Sequence, residues 1–232
     1  MSTFFVLIAS ARTGGTYLTT LLDSHSNIRM VGEPFIEKAL SSHAEQLEWI
    51  DQLVEKQNQH GISVGLRTKV KHIADHDLFC EKMTAIDSKF IFLERENLVK
   101  RAISRIRSMR LRQVTGFNNV RVNAQSQLPP DEAISVEKLT FHIKICEEEL
   151  REVSAFKNKV KEHSPPILSL TYEDIVAQPE AVTAEVLNFL GNKPEQLQAR
   201  VKKYTNDDLR KSVPNYDELF HVFKGTVYEE MF

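Results

Sequence analysis

The sequence predicts an α/β protein with three layers, helices on both faces of a central, mostly parallel sheet. Three observations carry this. Short apolar runs at Phe4–Ala9, Ile62–Leu66, Phe90–Leu93 and Ile167–Leu170 are nearly continuous, as in strands buried on both faces. Segments with helical spacing separate them, which implies βαβ units. The first run opens directly into a glycine pair, Gly14-Gly15, in a chain with only eight glycines among 232 residues, about half the usual share of ~7%.

The elements follow in order. Leu18, Leu21 and Leu22 form one helix face, and Ile28–Val31 reads as a further strand. Leu47, Ile50, Leu53 and Val54 fit a second helix, and Leu98, Ala102, Ile103, Ile106 and Met109 a third. The longest helix runs from about Ser135 to His163, with Val136, Leu139, Ile143, Cys146, Leu150, Val153 and Val160 at 3-4 spacing. A coiled-coil seam is the alternative there, but Lys157 interrupts it and a surface helix is favoured. Asn118–Pro130 reads as a loop between helices. Pro165-Pro166 ends the long helix, and Pro179 and Gly191 bracket another. Without a repeat or linker, residues 1–232 are expected to form a single domain.

Composition excludes several classes. A net charge of −2 argues against a general nucleic-acid or membrane-surface binder. Cys80 and Cys146 lack CxxC spacing and are too few for a disulfide framework, so a reducing, cytoplasmic location is expected. No apolar run approaches a membrane span, and the six-residue N-terminal run lacks the basic flank of a signal peptide.

The turn Ser10-Ala11-Arg12-Thr13-Gly14-Gly15-Thr16-Tyr17 has the composition of an anion cradle. Helix N-terminal N–H groups converge there, the helix dipole adds positive potential, and glycine lets the backbone approach. Thr13 and Thr16 offer hydroxyls, and Arg12 a fork of donors. The plain alternative is a βα turn with threonine as N-cap. No Lys follows the glycines, as an ATP-binding P-loop requires, and GxGxxG is missing.

A second constellation follows the strand Phe90–Leu93. Arg95 stands at its C-terminal end, where ligands bind in open α/β sheets, and Ser104 lies on the helix beyond. Together they suit a second phosphate. Lys100, Arg101, Arg105, Arg107, Arg110 and Arg112 surround them. A solvated basic helix face, or a nucleic-acid patch, are the competing readings.

These two elements in this order resemble the PAPS-dependent sulfotransferase superfamily, in its small bacterial-type members. Thr171-Tyr172-Glu173-Asp174-Ile175 is similar to the family's Tyr-Glu-Asp-Leu element, followed by Pro179 and Phe189-Leu190-Gly191. Lys203–Leu209 and Asn215–Leu219 are similar to its C-terminal pattern. The resemblance implies a P-loop-like sulfotransferase fold over nearly the whole chain. It also implies transfer of a sulfuryl group from 3′-phosphoadenosine 5′-phosphosulfate (PAPS) to an acceptor hydroxyl or amine, without a metal, releasing 3′,5′-bisphosphate (PAP). Arg12 would bind the donor as a catalytic residue at the bridging oxygen or the sulfuryl group. Thr13, Gly14, Gly15, Thr16 and Tyr17 would hold the 5′-phosphosulfate largely by main-chain N–H, and Arg95 with Ser104 would hold the 3′-phosphate. Tyr172 would pack near the adenine, and Lys203 would approach the nucleotide. Two features depart from the cytosolic pattern. Arg12 replaces a lysine, and the Arg95-to-Ser104 interval is one residue longer.

An acceptor hydroxyl needs a base. Glu33, in Val31-Gly32-Glu33-Pro34-Phe35, is the first candidate, placed by a strand whose end should open beside the glycine turn. Its alternative role is to cap the helix begun by Pro34. His72 and His76 come next, and Arg67 and Lys69 at the preceding strand's end are candidates to face the acceptor or the sulfuryl group. A P-loop kinase or NTPase, and a non-catalytic nucleic-acid-binding module, stand as the other function classes. The acceptor is not readable from sequence, and the long amphipathic helix is a candidate homodimer face.

Overall fold

The computed structural model describes residues 2–122, 128–202, 206 and 208–232. The chain folds as two compact units, each assembled from separated segments. Residues 1–94 and 150–199 form the first, residues 95–149 and 200–232 the second.

The first unit contains strands β1 (Phe4–Ala9), β2 (Ile28–Val31), β3 (Ser63–Thr68) and β4 (Lys89–Glu94), with helices α1 (Gly15–Leu22), α2 (Pro34–Glu37), α3 (His43–His60) and α4 (His76–Ala85) between them. The second opens with α5 (Leu98–Thr115), the two-residue strand β5 (Val120–Arg121) and the start of α6 (Val136–Glu162). From Leu150 onward α6 belongs to the first unit, which continues with β6 (Ile167–Thr171), α7 (Tyr172–Ala177) and α8 (Pro179–Leu190). Strand β7 (Val201–Lys202) and α9 (Tyr216–Phe223) complete the second unit.

Among the described residues, five strands form one sheet in the order β2-β3-β1-β4-β6, and every pairing in it is parallel. Alternate side chains of β1 point to opposite faces, so each face builds its own core. Phe4, Val6 and Ile8 pack with Ile50 of α3, Phe79 and Met83 of α4, and Val153, Phe156 and Val160 of α6. Phe5, Leu7 and Ala9 pack with Leu18, Leu21 and Leu22 of α1 and with Val182, Val186, Leu187 and Leu190 of α8. The predicted three layers are present.

This layering locates the site. Strands β1 and β3 are neighbours, yet the helices that follow them lie on opposite faces, α1 on one and α4 on the other. Adjacent strands whose connections diverge in this way leave a crevice at their C-terminal ends, the topological switch point at which open parallel sheets bind ligands.

Several sequence expectations need correction. Strand β3 runs Ser63–Thr68 rather than Ile62–Leu66, so Arg67 lies inside it. Within the expected loop Asn118–Pro130, Val120 and Arg121 pair antiparallel with Lys202 and Val201. Met109 is half-exposed, and Leu111 takes the buried place on α5.

The competing reading of a solvated basic face holds for Arg112, which is exposed, but not for most of the others. Arg101 is fully buried and pairs with the buried carboxylate of Glu149, which Arg105 joins at 3.1 Å. Arg107 donates to the Ser212 carbonyl at 2.9 Å and pairs with Asp131, while Arg110 pairs with Glu132 at 3.1 Å. These cations are engaged within their own unit. A buried guanidinium needs a carboxylate and further acceptors to offset lost hydration, and the Cys146 carbonyl gives Arg101 one of them.

Both cysteines are free and buried. Burial pushes the Cys80 thiol up to about 11 and raises that of Cys146. Among the described residues no helix is long and apolar enough to cross a membrane.

Candidate active site

The glycine turn is shaped by backbone geometry. Gly14 takes φ 93° and stands at the N-cap of α1, a conformation that side chains resist. The threonine-cap alternative is therefore not realised. Gly14 has no side chain to cap with, and Thr13, fully buried, donates its hydroxyl to the Ser10 carbonyl at 2.9 Å. Thr13 thus closes the turn internally, in place of the outward donor role expected for it. Arg12 itself has φ 67°, a left-handed backbone that non-glycine residues adopt chiefly where the surroundings enforce it.

Space as well as angle requires the pair. A Cβ on Gly14 would lie 3.1 Å from the Tyr172 ring, and one on Gly15 2.7 Å from the Ala9 Cβ. Tyr172 therefore packs directly on the turn. Thr171 caps its helix by accepting from the Asp174 N–H at 3.0 Å. Tyr17 is half-buried and packs against the core of the α1 face.

Across the switch point stands Glu33. It occupies the N-cap position of α2, but its carboxylate does not cap that helix. The Glu37 carboxylate instead accepts the Glu33 N–H at 3.2 Å. Glu33 turns toward the end of β3, where Oε1 accepts from Arg67 at 2.9 Å and Oε2 pairs with Lys69 at 3.0 Å. His72 Nδ1 lies 3.8 Å from Oε2. The strand that carries Glu33 does not open directly beside the turn, because β3 lies between β2 and β1. Arg67 spans that gap, donating from Nη1 to Thr16 Oγ1 at 2.8 Å.

Electrostatics follows from this arrangement. Burial pushes the Glu33 carboxyl up, and Arg67, Lys69 and His72 together outweigh it, leaving its pKa below the ordinary value. Glu33 is an ionised acceptor at neutral pH. Burial lowers the pKa of the Arg67 guanidinium, opposed by Glu33 and Glu37, and arginine remains a cation there. The Arg67 Nε–H is buried and makes no hydrogen bond among the described residues. His76 does not join this group. Its Nε2 lies 3.3 Å from the Val70 carbonyl and its ring packs edge-on against Phe156.

In the second unit, Arg95 and Ser104 are both buried. Asn97 caps α5 between them, accepting from the Lys100 N–H at 2.8 Å. Lys203 lies outside the described residues. The bridging role of Arg67 has no signal in the apolar run Ile62–Leu66, which stops one residue short of it. Only the strand's extension to Thr68 and the pairing with β1 place it there.

A family model for the sulfotransferase domain matches residues 3–224. The chain belongs to the sulfotransferase family. Nodulation protein H of Rhizobium tropici is 25% identical over 241 residues, covering 98% of this chain and 92% of that protein. Its namesake in Rhizobium meliloti is 26% identical over 242 residues, covering 98% and 94%. The sulfotransferase domain of the Synechococcus PCC 7002 olefin synthase superposes with a TM-score of 0.54 at 16% identity, covering 100% of this chain and 86% of that one. A sulfotransferase domain from the curacin biosynthetic pathway gives 0.50 at 18%, covering 99% and 88%. These two likenesses establish the fold of this sulfotransferase.

Proposed function

We propose that this sulfotransferase takes its sulfuryl group from PAPS and passes it to an acceptor hydroxyl or amine, with Glu33 as the general base. The observation that carries this reading is the juxtaposition at the switch point. An ionised carboxylate is tied through one arginine to the helix N-terminus of a glycine turn.

The residues fit an anionic donor. The turn at Gly14 and Gly15 packs so closely on Tyr172 and Ala9 that a Cβ is excluded, which leaves its backbone N–H groups uncovered by side chains of the pair. The buried Arg67 Nε–H has no partner among the described residues. When bound, PAPS supplies an activated sulfuryl group on a leaving bisphosphate. Gly14, Gly15, Thr16 and Tyr17 would hold the phosphosulfate by main-chain N–H groups and the Thr16 hydroxyl, with Thr13 shaping the turn. Arg12 would stabilise negative charge on the leaving oxygen, as preorganised donors do in related phosphoryl transfers. Arg95 and Ser104 would bind the 3′-phosphate, and Tyr172 would flank the adenine. Lys203 is an additional candidate for the nucleotide.

Glu33 would accept the acceptor's proton. Its low pKa keeps it in the basic form, at the expense of intrinsic basicity. A loose transition state places the demand for proton removal late, so an ionised, oriented carboxylate suffices.

Thermal-shift titration with PAP and with ATP plus Mg²⁺ tests the donor class. Selective stabilisation by PAP is expected. Selective stabilisation by ATP would move the protein to the kinase or NTPase class.

A further inference from the structure

We propose that Arg67 is a positioning residue of sulfuryl transfer, registering the Glu33 carboxylate to the glycine turn through Thr16. The inference rests on the reading of Glu33 as the base and extends it to a residue that need not touch the reactants.

Position comes first. Leu7 of β1 is the register partner of Arg67 on β3, so the guanidinium starts one strand away from the glycine turn and one strand away from β2. Its planar fork contacts both sides with its two terminal nitrogens, Nη1 on Thr16 at 2.8 Å and Nη2 on Glu33 at 2.9 Å. The side chain is 13% exposed, and its stem runs beside Gly15, whose missing Cβ would lie 3.5 Å from the Arg67 Cδ. The arginine stem thus lies at ordinary contact distance from Gly15, while the Ala9 Cβ at 2.7 Å is what excludes a side chain there.

Geometry next separates Arg67 from its neighbours. The groups facing Glu33 are Arg67 and Lys69 from the end of β3 and the residues after it, His72 from the turn that follows, and Glu37 from α2 through the Glu33 backbone N–H. Lys69 supplies charge to Oε2 but makes no contact with the glycine turn among its described pairings. Arg67 joins the carboxylate to Thr16 through one side chain. A lysine at position 67 would keep the charge but cannot offer two donors in fixed planar geometry. A base displaced by about 1 Å from its productive position can lose about 10²-fold in rate, so a rigid fork between base and donor loop acts directly on turnover.

The test combines an acceptor-independent rate with a titration. The rate is release of PAP from PAPS with water as acceptor, measured for wild type, Glu33→Gln, Arg67→Gln, Arg67→Lys and the Glu33→Gln/Arg67→Gln double variant. The titration follows the Glu33 carboxyl by ¹³C NMR, its resonance assigned by its loss in Glu33→Gln. Arg67→Gln is expected to reduce PAP release by about 10²-fold and to raise the Glu33 pKa by about one unit or more. The double variant should be no slower than Glu33→Gln, because both changes remove one function. Arg67→Lys should restore most of the Glu33 titration while leaving release slow, a split that loss of folding alone would not produce. Wild-type release by Glu33→Gln would refute the base assignment. Slow release by Glu33→Gln with a multiplicative further loss in the double variant would leave the base assignment standing and overturn the role of Arg67. Full release by Arg67→Lys would overturn it too, since charge alone would then be enough.

Discussion

Arg67 donates from Nη2 to Glu33 Oε1 at 2.9 Å, and this bond joins two parts of the chain that the sheet order keeps apart. Glu33 follows an edge strand, while the glycine turn follows a central one. The link of the carboxylate to the turn passes through that arginine, and Arg67, Lys69 and His72 together keep the carboxylate ionised.

The pairing gives stability a definite pH dependence. The Glu33 carboxyl titrates lower in the folded chain than its ordinary value of 4.5, so the unfolded state binds the proton more readily. Its contribution is therefore fully present above about 4.5 and is lost as pH falls through the lower, folded pKa. Urea midpoints of wild type and Glu33→Gln should differ at neutral pH and converge as the pH falls below the folded pKa of Glu33. A difference that persists unchanged into acid would contradict the ion-paired Glu33.

Gly15 is required for space, independent of backbone angle. Alanine there would set its Cβ 2.7 Å from that of Ala9, closer than carbon atoms pack. Gly15→Ala should destabilise the protein by about 1–3 kcal/mol, read from urea unfolding, and should weaken PAP binding in calorimetry. Unaltered stability would mean that the turn is looser than described.

The arginines of α5 should divide sharply. Arg101 is fully buried against Glu149, so Arg101→Met removes one cation from that buried carboxylate, which Arg105 also contacts. A loss of about 3–5 kcal/mol is expected when one member of a buried pair is removed. Arg110 faces a solvent-exposed Glu132, and Arg110→Ala should change stability by less than about 1 kcal/mol. Equal effects in chemical denaturation would contradict the division.

Much of this architecture is legible in local pattern. The apolar run Phe4–Ala9 and the segment Ile28–Val31 become β1 and β2 with those bounds, and Val136–Glu162 follows its 3-4 spacing. Gly191 ends α8 with φ 72° as the Pro-early, Gly-late pattern anticipates. Doubly buried strands announce themselves as continuous apolar runs and amphipathic helices by apolar positions three or four residues apart, both patterns local in sequence. The misses share the opposite cause. Arg101 reads as part of a charged face because its partner Glu149 lies 48 residues away. The Val120–Arg121 strand depends on a partner about eighty residues further on, with too few residues of its own to show alternation. Glu33 was legible as a candidate, but whether it capped a helix or faced the turn was decided by Arg67, Lys69 and Glu37, three side chains whose convergence is a property of the fold.

The central claim is use of a donor carrying both a 5′-phosphosulfate and a 3′-phosphate. Calorimetric affinities of PAP and 5′-AMP for wild type and Arg95→Ala test it most directly. The account predicts that wild type prefers PAP strongly and that Arg95→Ala loses PAP affinity far more than AMP affinity, because a charge-assisted contact to the 3′-phosphate is removed. Equal losses for the two nucleotides, or no preference for PAP in the wild type, would contradict it.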